Sequence, residues 1–309
     1  MKTVSGLQAL LDGGGFAVTA ELGPPKGGAL EVVERKAKHL VGVVDGVNVT
    51  DNQTAVVRMS SIAACAMLRR FDIEPVMQMV CRDRNRIALQ SDVLGAYALG
   101  IRNILCLSGD HQCFGNHAGA KNVFDLDSIQ LVRMVKCMRD EGRFLSGDEV
   151  EGAPEMFIGA AASPFSDPFA YRIRRLAKKV AAGAQFIQTQ CIYDVAKFRK
   201  WMGMAEDAGL VRKTHILAGI TPLKSVGMAT YMKNSVAGID IPDEIIKRLR
   251  AAGKGKAAEE GIAIAVETIQ EMRALEGVHG VHLMAIEWEE KVPEILERAG
   301  LLPRKGWSG

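Results

Sequence analysis

The sequence of 309 residues has no apolar run of the roughly 18–20 residues that a membrane-spanning helix requires. Residues 1–15 lack the apolar core and the small-residue cleavage site of a secretory signal. The excess of one sign of charge is also small, since Lys and Arg number 39 and Asp and Glu number 36. A net charge of +3 argues against the dense basic face of a nucleic-acid-binding protein. We therefore expect a cytoplasmic protein with neither a membrane nor a nucleic-acid partner.

Cysteine and the common catalytic signatures are sparse in the same way. The six cysteines stand singly in apolar segments, and their spacing fits neither a disulfide framework nor a metal-binding knuckle. We expect no metal site and no iron–sulfur cluster in this chain. The zinc-protease, serine-hydrolase and P-loop signatures are also missing, which removes the commonest readings for those enzyme classes.

Short, nearly continuous apolar segments recur along the chain and alternate with segments whose apolar residues have helical spacing. Such segments are typical of parallel strands that are covered on both faces. The predicted strands are Ala17–Glu21, Val43–Val49, Pro75–Met79, Ile104–Leu107, Met156–Ala161, Phe186–Thr189, His215–Ile220 and Val281–Ile286.

Eight strands, each followed by helical sequence, predict an α/β fold of the (β/α)8 TIM-barrel class, which typically needs about 250 residues. We expect a single domain over residues 1–309, with a short N-terminal helix, extra helices near Ile241–Ala252 and a loose tail over Pro303–Gly309. An open, doubly wound sheet is the alternative. Its dinucleotide-binding form requires GxGxxG after the first strand, whereas Gly23–Gly28 reads GPPKGG.

A polar residue follows the apolar part of each predicted strand. In a barrel, catalytic residues come from these carboxyl ends and the loops beyond them. The residues are Glu21, Thr50, Gln78, Asp110, Ser163, Gln190, Thr221 and Glu287. Some polarity is expected simply because every strand must exit into solvent.

Glu21 and Asp110 are the strongest candidates for catalysis, because each lies in a tight turn. Pro24 and Pro25 fix the chain direction after Glu21, and a pairing with Lys26 is the alternative interpretation. A glycine before Asp110 permits close approach to a flat ligand, while capping of the next loop is the alternative there. Two carboxyl groups at one barrel mouth can serve as general acid and stabilising anion if one is desolvated.

Eight segments of the sequence, taken in their order along the chain, resemble the methylenetetrahydrofolate reductase family over essentially the whole chain. Each segment alone is weak, but successive segments lie at the mouth ends of successive strands. They are Glu21–Pro25, Val49–Asp51, Cys81–Asp92, Leu107–Asp110, Ala182–Ala184, Gln188–Gln190, Gly219–Ile220 and Gly280–His282.

The resemblance implies a ping-pong reaction in which a flavin carries a hydride at N5 from a reductant to 5,10-methylenetetrahydrofolate, giving 5-methyltetrahydrofolate in one-carbon metabolism. Glu21 would be the general acid that protonates folate N10. Asp110 would hold the pterin and stabilise the cationic iminium. Gln190 would contact folate and nicotinamide in turn, and Thr221 is a further substrate-binding position.

The resemblance also implies a flavin site, with FAD favoured over FMN. The cofactor-binding positions would be Thr50, Gln78, Arg82, Ser108, Gly109, Asp110, Ser163, Asp167 and Lys179.

Several positions depart from the family pattern and bear on the electron donor. Gln78, Ser108 and Arg172 replace a histidine, an arginine and an aspartate around the flavin. Val226 replaces an aromatic that sandwiches nicotinamide and folate, and Trp288 replaces an arginine near the folate tail. We therefore expect either NAD(P)H, used weakly, or electrons delivered by an iron–sulfur partner subunit, in a homo-oligomer. A pterin-binding barrel methyltransferase and a flavin-binding electron-transfer subunit are the alternative functions.

Overall fold

The computed structural model describes residues 3–304, and its strands form one closed parallel barrel. Each strand pairs with the next in sequence, and the last pairs with the first. This confirms the predicted (β/α)8 class. The strands are β1 (Ala17–Leu22), β2 (Gly46–Val49), β3 (Pro75–Val80), β4 (Asn103–Leu107), β5 (Phe157–Ala162), β6 (Phe186–Cys191), β7 (His215–Ile220) and β8 (Val278–Leu283).

The helices surround this barrel, and none within residues 3–304 is long and apolar enough to cross a membrane. They are α1 (Gly6–Asp12), α2 (Leu30–Ala37), α3 (Ser61–Arg69), α4 (Arg86–Ala98), α5 (Ser128–Lys136), α6 (Tyr171–Ala182), α7 (Val195–Asp207), α8 (Val226–Ser235), α9 (Asp243–Ala251), α10 (Ala257–Arg273) and α11 (Val292–Arg298). The extra helix expected near Ile241–Ala252 is α9.

Two predicted strands are displaced by three residues at one or both ends. The β2 strand begins at Gly46 rather than Val43, because the Asp45 carboxylate accepts the Val18 N–H at 2.7 Å and holds a turn there. The β8 strand begins earlier than predicted and ends at Leu283. Gly280 lies inside this strand. A glycine is needed there because a Cβ at that position would lie 2.3 Å from the Ala17 carbonyl oxygen.

The predicted C-terminal tail falls only partly within the described residues. The Arg304 side chain donates to the Phe16 carbonyl at 2.8 Å and forms an ion pair with Asp45. Residues 305–309 of that prediction lie outside the described part of the chain.

An apolar layer fills the amino-terminal end of the barrel interior. Leu7 and Leu11 of α1 close this end and pack with buried residues that point inward from the strands. Phe157 and Phe186 stack there with ring centroids 4.8 Å apart. The carboxyl end is therefore the end at which the barrel interior can open to a ligand.

A buried polar layer lies between the apolar layer and the barrel mouth. The Gln188 amide exchanges hydrogen bonds with Asn48, at 2.7 and 3.0 Å, and donates to the Thr19 hydroxyl at 3.2 Å. Thr19 in turn bonds His282 Nδ1 at 2.9 Å. Burial lowers the pKa of His282 to about 3, so its imidazole is neutral at physiological pH. This satisfied network supports the side chains of the next layer, which begins with Glu21.

Replacing Gly159 should test the close packing of the interior. A Cβ there would lie 2.2 Å from the Phe186 ring, so we expect Gly159→Ala to lower the free energy of unfolding by about 1–3 kcal/mol. Gly203→Ala in α7 is the matched control, since its added Cβ would meet no atom of residues 3–304 within 4 Å apart from its chain neighbours and the backbone of its own helix. The control should be neutral or stabilising by about 1 kcal/mol. Equal effects of the two substitutions in urea unfolding would contradict the packing described here.

Candidate active site at the barrel mouth

A cavity of about 460 Å³ opens at the carboxyl ends of the strands. This volume is in the range of small-molecule sites, which run from about 300 to 1,000 Å³. Among residues 3–304, no group of three or more His, Cys, Asp or Glu side chains is arranged to hold a metal ion. The predicted site residues that line the cavity are Gln78, Arg82, Ser108, Gly109, Asp110, Ser163, Lys179 and Gln190.

Glu21 lies beside this cavity, at the carboxyl end of β1, and is only 9% exposed. Its Oε1 accepts the Gln53 amide at 3.2 Å, and Gln78 provides a second side-chain hydrogen bond. Burial raises the pKa of Glu21 from 4.5 to about 7, and the two amides offset only part of that rise. In the described part of the chain, Glu21 therefore forms hydrogen bonds with two amides and not the alternative ion pair with Lys26. Its carboxyl group can hold and release a proton near neutral pH.

Gln53 reaches Glu21 because the chain makes a left-handed turn after β2. Asn52, Thr54 and Ala55 have φ angles of 45°, 57° and 56°. Such angles are uncommon for residues other than glycine and mark a conformation that the surroundings must hold. The loop after β4 packs closely on this turn, since a Cβ at Gly115 would lie 1.8 Å from the Ala55 carbonyl oxygen. Gln53 was not among the predicted site residues. Its only local indication in the sequence is the preceding Asn52, a residue type that tolerates a left-handed conformation.

Asp110 lies in the loop after β4, where it lines the cavity and is exposed to solvent. Gly109 precedes it at φ +87°, and a Cβ there would lie 3.0 Å from Val80 Cβ. The loop therefore packs closely on β3 at this glycine, and the expected close approach of a flat ligand stays a prediction. The Asp110 carbonyl accepts Arg82 Nη1 at 3.0 Å, which fixes the backbone and leaves the carboxylate available to a ligand.

Arg82 joins three mouth segments. It is 3% exposed, and its guanidinium forms an ion pair with Asp83 at 2.6 Å. It also donates to the carbonyls of Asn52 at 3.2 Å and Asp110. Much of its donor capacity is thus used within the protein, so its main effect is to hold the loops after β2 and β4 in position.

The other side of the cavity carries positive charge from α6. Arg172, Arg175 and Lys179 line the cavity from one face of this helix. Burial, with a smaller effect of Arg175, lowers the pKa of Lys179 to about 8, and its ammonium donates to the Ala161 carbonyl. These side chains suit an anionic group such as a phosphate. Sequence analysis missed Arg175, although its position four residues before Lys179 on one helix was a usable signal.

Besides Glu21, three predicted site residues are not among those that line the cavity. Thr50 is 1% exposed, and its hydroxyl has no hydrogen-bond partner among residues 3–304. Thr221 is buried, and its hydroxyl bonds Cys191 Sγ at 3.0 Å. The carbonyl of Asp167 accepts the Arg172 guanidinium. The roles assigned to these three residues stay predictions.

Trp201 of α7 also lines the cavity, and the sequence analysis did not select it. Its side chain is fully buried and stacks with Phe198 at 5.7 Å between ring centroids. Its indole Nε1 has no hydrogen-bond partner in the described part of the chain. From the sequence alone, nothing about a single tryptophan in a helical segment indicates that it lines a cavity.

Comparison with known proteins identifies a family. The family model described as methylenetetrahydrofolate reductase matches residues 6–300. Methylenetetrahydrofolate reductase 2 of Schizosaccharomyces pombe is 28% identical over 252 residues, covering 79% of this chain and 39% of the relative. A probable methylenetetrahydrofolate reductase (NADPH) of Caenorhabditis elegans is 25% identical over 262 residues, covering 82% and 36%. This chain thus spans less than half the length of these curated relatives.

Solved structures share the fold at low sequence identity. A Clostridium thermocellum protein that binds two copies of 5-methyl-5,6,7,8-tetrahydrofolic acid superposes with a TM-score of 0.64 at 14% identity, covering 96% of this chain and 98% of that one. An F420-dependent secondary alcohol dehydrogenase gives a TM-score of 0.56 at 9% identity, covering 92% and 99%.

The raised pKa of Glu21 predicts a pH dependence of stability. The folded protein binds this proton more tightly than the unfolded chain does. The contribution of Glu21 to the free energy of unfolding is therefore fully present below pH 4.5 and is lost as the pH rises through about 7. One pKa unit corresponds to about 1.4 kcal/mol, which gives a loss of about 3 kcal/mol. The stability of Glu21→Gln relative to the wild type should therefore rise between pH 5 and pH 8.

Urea unfolding across this pH range measures the effect. Glu276→Gln, a substitution at an exposed position, is the control and should follow the wild type. If the stability difference between wild type and Glu21→Gln does not change with pH, the carboxyl group is not desolvated as described.

Proposed function

The chain belongs to the methylenetetrahydrofolate reductase family, and from that premise we propose that it reduces 5,10-methylenetetrahydrofolate to 5-methyltetrahydrofolate with a bound flavin. The observation that carries this proposal is the buried Glu21 carboxyl group, whose pKa of about 7 lets it donate a proton. It lies at a barrel mouth beside a cavity that also holds Asp110 and Gln190.

Glu21 supplies the proton that the folate requires. Opening the folate imidazolidine ring needs protonation at N10, and a general acid works best when its pKa is near the working pH. The amides of Gln53 and Gln78 hold the carboxyl group in position. Gln78 also lines the cavity, so Glu21 contacts a side chain that borders the space a ligand would occupy.

Asp110 and Gln190 complete the folate site in this proposal. Ring opening produces a cationic iminium, and a fixed anion nearby stabilises such a charge. The Asp110 carboxylate faces the cavity from a backbone that Arg82 holds. The Gln190 amide both donates and accepts, which suits the polar edge of a pterin. The acid and the anion thus have different environments, one buried and one exposed, as their different roles require.

The residues present fit a flavin. The cations of α6 suit its phosphate, with Ser163 beside them in the cavity wall. Gly109 lines the cavity, and the Thr50 hydroxyl, which has no hydrogen-bond partner among residues 3–304, can bond an atom of the ring edge. The bound flavin would supply the two-electron chemistry, accepting a hydride from the reductant and delivering it to the folate. We favour FAD over FMN, and the mass of the released cofactor distinguishes them.

The electron donor is part of the proposal. Relatives named as NADPH and NADH forms support a nicotinamide donor. Val226 begins α8 where the family pattern has an aromatic, and Trp288 packs under the Lys224 ammonium, 5.4 Å from its ring centroid. Without the aromatic platform, the nicotinamide would lose about 0.5–1.5 kcal/mol of stacking. We therefore propose weak direct use of NAD(P)H and an iron–sulfur partner as the stronger donor. A homo-oligomer also stays a prediction.

A steady-state assay of the isolated chain tests the donor. We expect slow oxidation of NADH in the presence of methylenetetrahydrofolate, and rapid folate reduction when an artificial one-electron reductant replaces NADH. Fast NADH oxidation by the chain alone would show that no partner is needed.

Replacing the general acid tests the reaction itself. Glu21→Gln should lower the rate at which the reduced flavin is reoxidised by methylenetetrahydrofolate by about 10²–10⁴-fold, because the proton donor is lost. Reduction of the flavin should change little, since it needs no such proton. Stopped-flow absorbance separates the two half-reactions, with Glu276→Gln as the control.

The alternatives predict other results. A colourless purified protein that resists flavin reconstitution favours a pterin-binding methyltransferase. A yellow protein that shows no folate reaction in either wild type or Glu21→Gln favours an electron-transfer subunit.

A further inference from the structure

Strand β6 contains an extra residue where it reaches the barrel mouth. Gln188 of β6 pairs with Leu217 of β7, and the next pair joins Cys191 to Gly219. Between these pairs, β6 therefore has two residues where β7 has one. Such a β-bulge bends the strand and redirects side chains, and bulges are frequent beside active sites. Gln190, which lines the cavity, is one of the two residues of this bulge.

Gly219 allows β7 to lie directly against the bulge. A Cβ at Gly219 would lie 2.2 Å from the Thr189 carbonyl oxygen and 2.8 Å from the Gln190 carbonyl oxygen. No side chain fits at these distances, so the observed approach of the two backbones requires a glycine. The bulge is therefore held in place by a backbone contact between β6 and β7.

The Thr189 hydroxyl links the two strands at the bulge through two hydrogen bonds. It accepts the Gly219 N–H at 2.9 Å and donates to the Gln190 carbonyl at 2.9 Å. In a regular parallel pair, the N–H groups of one strand donate to carbonyls of its neighbour. A hydroxyl can donate one hydrogen bond and accept others, so Thr189 can serve both groups at once. Thr189 is 3% exposed, which leaves little access for a water molecule that could replace its hydroxyl.

The same glycine anchors β6 on the far side of Gln190. The Ile192 N–H donates to the Gly219 carbonyl at 2.9 Å. Gly219 thus holds β6 before Gln190, through the Thr189 hydroxyl, and again after it. The direction of a side chain follows from the orientation of its own backbone, and at Gln190 these bonds fix that orientation.

We propose that Thr189 is a positioning residue whose hydroxyl holds the Gln190 backbone so that the Gln190 amide meets the folate in the cavity. This inference rests on the proposed function, in which that amide bonds the polar edge of the pterin. A hydrogen bond weakens steeply as its angle departs from linearity, so a displaced amide binds the pterin less well. Thr189 is not among the residues that line the cavity, and its effect therefore passes through Gln190.

Replacing the hydroxyl while keeping the shape of the side chain tests this role. Thr189→Val should weaken the binding of 5-methyltetrahydrofolate to the flavin-loaded protein by about tenfold, the size of one lost hydrogen bond. Isothermal titration calorimetry measures this affinity. The flavin content should not change, because the cationic wall along α6 is untouched. Thr189→Ser keeps the hydroxyl and should restore most of the lost affinity. Thr189→Ala replaces Thr189→Val in these measurements if the valine variant does not fold.

A double-mutant cycle shows whether the effect passes through Gln190. Gln190→Ala should itself weaken folate binding, and the addition of Thr189→Val should then cause no further loss. Thr268→Val is the matched control for the loss of a buried threonine hydroxyl. Thr268 is 7% exposed, donates to the Ile264 carbonyl at 2.8 Å within α10 and does not line the cavity. This control should bind folate as the wild type does.

Unchanged folate binding in Thr189→Val would overturn the inference, as would equal losses in Thr189→Val and Thr189→Ser. Additive losses in the double mutant would also overturn it, because Thr189 would then act by a route other than Gln190. If the wild type itself binds no 5-methyltetrahydrofolate, the proposed function fails and the inference fails with it. Wild-type binding together with an unaffected Thr189→Val overturns the inference alone.

Discussion

The burial of one carboxyl group at the end of the first strand is the constraint on which the account of this protein depends. Glu21 follows Thr19 on the inward-facing side of β1, so the alternation of side chains along a strand directs it into the barrel. Beneath it, Thr19, Asn48, Gln188 and His282 form a buried hydrogen-bonded layer. Among residues 3–304, amides bond this carboxyl group and no cation contacts it directly. Because the barrel desolvates this carboxyl group, it holds a proton near neutral pH, as the proposed reaction requires.

The same closed parallel barrel explains why the remaining site residues converge. All strands end at one face, so loops that are distant in sequence meet around one cavity. Arg82 and the Gly115 contact bind the loops after β2 and β4 to each other. The site therefore has a proton-donating side near β1 and a cationic side along α6. Such a separation matches a ligand pair with a phosphate at one end and a reacting ring at the other.

The sequence predicted the fold well because its signals are strong and regular. Apolar strands alternate with segments of helical spacing in fixed order. The errors at Val43–Asp45 and around Gly280 fell where a turn or a close strand approach overrode that pattern. Glu21, Asp110 and Gln190 were predictable as strand-end residues. Gln53 and Trp201 were not, because their positions at the cavity arise from a left-handed turn and from a helix behind the barrel wall.

Infrared spectroscopy of the Glu21 carboxyl group tests the central claim most directly. A pH titration of the purified protein followed by difference spectra should show the C=O band of a protonated carboxylic acid disappearing near pH 7. That band should be absent from the spectra of Glu21→Gln. A Glu21 band that has already disappeared below pH 5 would show an ordinary, solvated carboxylate. The protein would then lack the general acid on which the proposed reaction depends.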